Sequence, residues 1–116
     1  MVGVVIPRQQ DGLIHLAVNP ATGDGTNVLL ASPGADIRIM VCQLVINCNA
    51  GANSIRFQSE QDTNISPLWE FADLGGLVLP YNKNGWFKTV AAEDLTCVLT
   101  VAAAVGILIG YRLTTY

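Results

Sequence analysis

Apolar and polar residues alternate along much of the chain. In Asp36–Val41, Ile37, Ile39 and Val41 alternate with Arg38 and Met40, and in Asn53–Ser59, Ile55 and Phe57 alternate with Arg56 and Gln58. Leu95, Cys97, Leu99 and Val101 share one parity, with Thr96, Val98 and Thr100 on the other. A period of two belongs to half-buried antiparallel strands, because successive side chains leave a strand on opposite faces. Further strand-like runs occupy Leu13–Val18, Asn27–Ala31, Gly76–Tyr81, Gly85–Val90 and Ile107–Tyr116. Between them lie stretches rich in Asn, Gly, Pro and Asp: Asn19–Asn27, Ala31–Asp36, Asn47–Asn53 and Tyr81–Gly85. These residues favour turns, so about eight strands are expected in an all-β fold, an antiparallel β-sandwich or jelly roll.

Three places modify that pattern. Ser66 followed by Pro67 offers a cap and a first helical position, so one helical turn is expected within Ser66–Gly76. Asn84-Gly85 separates two apolar segments and predicts a hairpin, since both residues tolerate positive φ. The seventeen residues Leu95–Tyr111 carry no charge, the short end of transmembrane length, and Ala102, Gly106 and Gly110 fall four apart. Seven of the seventeen are Thr, Val or Ile, and the alternation before Ala102 is that of a strand. A terminal hairpin turning near Gly106 is therefore expected over a membrane helix.

Composition bears on how such a fold is used. The 116 residues are enough for one domain, with residues 1–12 as an N-terminal arm and 13–116 as the β-sandwich. Hydrophobic residues make up 51% of the chain and charged residues 13%, about half the usual charged share. A small domain lacks the interior to hide so much apolar side chain, and large exposed apolar patches mark contact surfaces. Arg8, Arg38, Arg56, Lys83, Lys88 and Arg112 are scattered and the net charge is −3. No basic patch is available for phosphates, which argues against a nucleic-acid partner. The short apolar run at the N-terminus has no basic stretch before it and is not read as a secretion signal. Cys42, Cys48 and Cys97 form no C-x-x-C motif and are expected as buried thiols.

Candidate chemistry is sparse. His15 is the one histidine and lies within an apolar strand pattern. The carboxylates Glu60, Asp62, Glu70, Asp73, Glu93 and Asp94 flank turns, where solvated acids are common. Gly23-Asp24-Gly25 lacks the remainder of a phosphate loop. No catalytic constellation, metal set or cofactor motif emerges, and the chain is not expected to be an enzyme. The aromatics are concentrated instead: Trp69, Phe71, Tyr81, Trp86 and Phe87 fall within nineteen residues. Such a cluster can stack sugars or bases, fill a small β-core, or anchor a subunit interface; the last two are preferred. An extended arm through Val4, Val5, Ile6 and Pro7 could add to that interface.

The ordered series from Ser54-Ile55-Arg56-Phe57-Gln58-Ser59 onward resembles small phage and prophage virion proteins. Pro67-Leu68 follows, then Gly75-Gly76-Leu77-Val78 with Pro80, a polar turn, Gly85-Trp86-Phe87, and an alternating strand from Leu95. The similarity spans about residues 36–113. It implies a sandwich or jelly-roll subunit of the capsid decoration (minor capsid, cement) type. Such a subunit would be a homo-oligomer, a trimer, bound to the phage major capsid protein on the capsid exterior, with no membrane or nucleic-acid partner. The alternative function is a receptor-binding or tail-tip module that presents Asn19–Asn27 and Tyr81–Gly85 to a host surface glycan or protein.

Overall fold

The structure is a computed structural model that describes residues 13–18, 25–101, 103 and 105–116. The expected arm of residues 1–12, with Val4, Val5, Ile6 and Pro7, lies outside the described residues. Ten strands run through the described chain, and no helix occurs among the described residues. They are β1 (Ile14–Val18), β2 (Gly25–Leu30), β3 (Arg38–Cys48), β4 (Asn53–Ser59) and β5 (Thr63–Asn64). The second half holds β6 (Trp69–Phe71), β7 (Gly76–Leu79), β8 (Phe87–Lys88), β9 (Leu95–Leu99) and β10 (Val105–Thr114).

Two antiparallel sheets result. The first has the order β1-β10-β3-β7, with β8 also paired to β3; the second has the order β2-β9-β4-β5, with β6 also paired to β4. Strands β7 and β8 lie end to end along β3, opposite Leu44–Asn47 and Met40–Val41 respectively. In the same way β5 and β6 lie end to end along β4. The pairing is nested: first strand with last, second with second-last, and so inward to the two interrupted edges.

The alternation read from the sequence decides which residues meet. Ile39, Val41, Leu44, Ile46 and Cys48 of β3 and Val105, Ile107 and Ile109 of β10 come from the first sheet. Ile55 and Phe57 of β4 and Leu95, Cys97 and Leu99 of β9 come from the second, and all of these residues form one buried cluster. Removing this much apolar surface from water is the main favourable term for the fold. The buried parity of β3 changes between Val41 and Leu44, where the register with β10 shifts at Gly110/Tyr111. A β-bulge has this effect, since one extra residue reverses which face the following side chains take.

Three local expectations are corrected. No helical turn forms in Ser66–Gly76: Trp69–Phe71 pairs with Ile55–Asn53 as β6. Ser66 Oγ accepts the N–H of Phe57 at 2.9 Å, so the hydroxyl that could have capped a helix is used on the neighbouring strand. Asn84-Gly85 makes a turn but no hairpin, because β7 and β8 both pair with β3 and continue in one direction. The turn is an excursion from an edge strand, whose pairing is kept on either side by Asn82 N–H to Cys42 O (2.8 Å) and Trp86 N–H to Val41 O (2.7 Å). The terminal hairpin is also absent. Strands β9 and β10 belong to different sheets, so the chain between them changes sheet. Asn53 holds that corner: its Oδ1 accepts the N–H of Val101 and its Nδ2 donates to Val101 O, both at 3.0 Å. A buried amide that satisfies both backbone groups of one residue can fix a loop that lacks turn residues. Among the described residues, no helix is long and apolar enough to cross a membrane.

Candidate functional site

The two sheets share an inner layer and differ on their outer faces. On the first sheet, Leu108, Val45 and Val78 stand in register across β10, β3 and β7. They form an apolar row on the face away from the common core. Leu108 is 42% and Val78 65% exposed. On one side of this row lie Gly106, Asn47 and Gly76, among which Asn47 alone has a side chain of any size, and on the other lie His15, Gly110 and Gln43. At Gly76 the backbone approach explains the residue: an added Cβ would collide with the carbonyl oxygen of Ile46.

The second sheet presents the opposite chemistry. Arg56, Val98 and Thr26 share one cross-strand row, and Gln58, Thr96 and Val28 the next. Ser54 opposes Glu70, and Gln58 opposes Asn64. Gln58 Nε2 donates to Asn64 Oδ1 at 2.8 Å, and the Thr96 hydroxyl donates to the carbonyls of Gln58 and Glu60. Polar side chains that hydrogen-bond one another dominate this face, and Val28, 59% exposed, stands among them without an apolar row of its own.

The other end of the first sheet is closed by its own residues. Leu13, Met40 and Cys42 form a second small buried cluster on the outer side of β3. Arg112 on β10 lies opposite Met40, and its guanidinium donates to the Tyr81 hydroxyl at 3.0 Å, a link that passes over β3. The Asn82–Gly85 turn closes with Gly85 N–H to Asn82 O at 2.9 Å and Asn84 N–H to Asn82 Oδ1 at 3.0 Å. Gly85 has φ +82°, and an added Cβ there would run into Met40, so glycine is required by both dihedral and space. Trp86 Nε1 donates to Pro80 O at 2.7 Å, which fixes the indole across the base of this turn.

The five aromatics singled out by the sequence therefore divide. Trp69, Phe71 and Phe87 are half-buried and pack on the core. Phe57 lies 5.3 Å from Phe87 and 6.2 Å from Trp69 between ring centroids, so this trio joins the two sheets. Tyr81 and Trp86 are 41% and 43% exposed. The apolar row of Val45, Val78 and Leu108 was not singled out beforehand. Strand parity could have placed Val78 and Leu108, which fall opposite to the inward positions of their strands, but Val45 shares the odd parity of Ile39 and Val41 and reaches this face only through the bulge in β3.

The remaining ionisable groups have local roles. Buried Ser59 donates its hydroxyl to Glu93 Oε1 at 2.6 Å and accepts the N–H of Val90 at 2.9 Å. Asp94 Oδ1 accepts the N–H of Ser32 at 2.6 Å, and Glu60 Oε2 accepts the N–H of Asp94 at 3.3 Å. These carboxylates tie the loop before β9 to β4 and to the segment after β2. His15 is exposed, with Nε2 3.3 Å from Gln43 Oε1. All three cysteines are free thiols in buried positions. Burial pushes the Cys97 thiol up to about 12, and burial followed by the nearby Asp73 charge raises Cys48. Among the described residues, no group of three or more His, Cys, Asp or Glu side chains is placed to hold a metal ion.

Comparison with protein-family models, with curated proteins and with solved structures gives no match to this chain.

Proposed function

We propose that this chain is a structural virion protein, a capsid decoration subunit with a jelly-roll fold. It acts by self-association, as a trimer, and by attachment to a phage major capsid protein. The nested strand order supports the jelly roll. The two interrupted edges count as single strands, which leaves four strand positions in each sheet and pairs the chain as one long hairpin rolled upon itself.

The observation that carries the assembly role is the inequality of the two outer faces. One sheet exposes an in-register apolar row of three residues flanked by glycines with Asn47 and Gln43, while on the other Val28 and Val98 stand singly among Arg, Gln, Ser, Thr and Glu. The apolar row itself carries no charge, so its desolvation against a second protein surface favours association, with Asn47, Gln43 and His15 as polar neighbours on the same face. Low overall charge serves the same end. The ordered resemblance to phage virion proteins gives the setting in which such association is used.

The test is light scattering of the purified protein over a concentration series, followed by cosedimentation with the parent capsid. A stable trimer of the 12.3 kDa chain that cosediments is the expected result. Val78→Lys combined with Leu108→Lys should abolish trimer formation, capsid binding, or both, without unfolding the domain. A folded protein that remains monomeric and does not cosediment overturns the reading. Binding to bacterial cells but not to capsids would replace it with a receptor-binding module.

A further inference from the structure

Leu74 carries two costs at once. Its φ is +66°, and of the four non-glycine residues with positive φ among those described it is the only large apolar one. Its side chain is 76% exposed, more than any other large apolar side chain described. Glycine or asparagine would take this φ with less strain, and a polar side chain would sit more favourably in water. The conformation is fixed from both sides. Gly75 N–H donates to Ala72 O at 2.9 Å, Cys48 N–H to Gly75 O at 2.8 Å, and Gly51 N–H to Asp73 Oδ1 at 3.0 Å. Leu74 therefore projects from the end of β7 and adds little burial to its own chain. A backbone outlier held in place in this way points to a function outside the fold.

The opposite end of the first sheet has the complementary feature. Leu113 pairs with Ile39, and directly opposed residues of antiparallel strands share a face. Leu113 therefore points to the inner side, where Ile39 is buried in the common core. It is nevertheless 47% exposed, an inward-facing leucine left uncovered at the end of the sandwich. With Ile37, Thr114, Thr115 and Tyr116 it lines an open recess of about 340 Å³, to which no charged side chain contributes.

We infer that Leu74 of one copy of this chain seats in the Leu113 recess of the next copy, head to tail around a ring. A second copy is the occupant because one chain carries both halves of the contact, an apolar projection and an uncovered apolar recess. They lie at opposite ends of β3, whose 11 residues span roughly 35 Å, so a chain cannot fill its own recess with its own Leu74. A cyclic oligomer uses such a pair once per subunit, and in a trimer three of them close the ring. Gly76, two residues beyond Leu74, flanks the apolar row, so a neighbour seated on Leu74 is also placed beside Val78. This contact presupposes the self-association proposed above and names the two surfaces that meet.

The test follows the mass of the full chain by sedimentation over a concentration series and joins the two ends by oxidation. The native cysteines are buried, so introduced surface thiols react first. Leu74→Cys mixed with Leu113→Cys should give a disulfide-linked pair that neither variant gives alone, and a chain carrying both changes should give a covalent trimer. Leu74→Gly should weaken association at least about tenfold, as loss of an anchoring side chain does. The urea midpoint of the dissociated chain should stay the same or rise, because glycine relieves the positive φ. A fall in that midpoint would mean that Leu74 serves its own fold, and overturns the inference. So does unchanged association, the absence of a linked pair, a disulfide between two Leu74→Cys chains, or a doubly substituted product that stops at the dimer. Leu113→Asp that keeps the trimer and loses capsid binding would give the recess to a capsid segment and overturn it also. A native protein that stays monomeric removes the self-association reading together with this contact, whereas a native trimer indifferent to Leu74→Gly removes this contact alone.

Discussion

The two sheets of this protein present the same inner face and opposite outer faces. Inward, both contribute alternating Ile, Leu, Val, Phe and Cys to one dry cluster. Outward, the second sheet carries Ser54, Arg56, Gln58, Thr96 and Glu70, as expected for a sheet that faces water. The first carries Val45, Val78 and Leu108 in one row, between rows that hold glycines with Asn47 and with His15 and Gln43. The inner layer is a requirement of folding and is met equally by both sheets. The outer apolar row contributes little to the fold of the single chain, so its presence requires another explanation. The difference between the sheets separates what the chain needs to fold from what it offers to other molecules.

The largest test of this contrast acts on the shared layer. Phe57 is fully buried and touches both Trp69 of its own sheet and Phe87 of the other. Phe57→Ala should therefore cost about 3–5 kcal/mol, the usual range for a buried Phe truncated to Ala. Urea unfolding measures it, and a loss under about 1 kcal/mol would mean that the sheets do not depend on one another through this contact.

A second test asks how dry that layer is. The thiol of Cys97 is raised by burial from 9.0 to about 12. Folding therefore favours the protonated form, and the associated stability is fully present below pH 9. It should be lost progressively as pH rises from about 9 toward 12, because the unfolded chain releases the proton first. Cys97→Val should flatten this part of the stability profile, while any packing change at this buried site shifts the whole profile by no more than about 1.5 kcal/mol. An unchanged alkaline slope in the variant would place the thiol in contact with water.

The smallest expected effect is the most discriminating. Val28 on the second sheet is 59% exposed, much like Val78 on the first. Val28→Lys should alter stability by no more than about 0.5 kcal/mol, as surface substitutions do. It should leave the oligomer mass unchanged, in contrast to the paired lysines at Val78 and Leu108. If Val28→Lys disrupts assembly as strongly, the distinction between the faces fails.

Much of the fold was legible from alternation. The inward positions of β4, of β9 and of β3 up to Val41 follow from parity, since a period of two assigns every second residue to one face; beyond Val41 the bulge reverses the parity of β3, which alternation alone does not announce. The aromatic cluster was legible as a group but not in its division. Phe87 and Trp86 are neighbours in sequence, and strand geometry sends one to the core and the other to the surface. The turn at Asn84-Gly85 was read correctly as a turn and wrongly as a hairpin. Turn chemistry fixes a local reversal of φ, whereas the partner of the next strand depends on where β3 lies. The segment around Trp69 was read as a helical turn because Ser66 and Pro67 favour one locally. Pairing with β4 and the Ser66–Phe57 hydrogen bond outweigh that preference.

The sequence by itself determined an all-β chain, the parity that fills one core, the buried thiols and a surplus of apolar surface. These depend on local periodicity and composition, which every strand carries with it. Only the tertiary structure decided that β9 and β10 separate into different sheets and that β7 and β8 share one edge. It also brought Leu108, Val45 and Val78 into one row, although they are far apart in sequence. Strand pairing is long-range, and the free energy that selects it comes from burying whole faces together, which no short stretch of sequence contains.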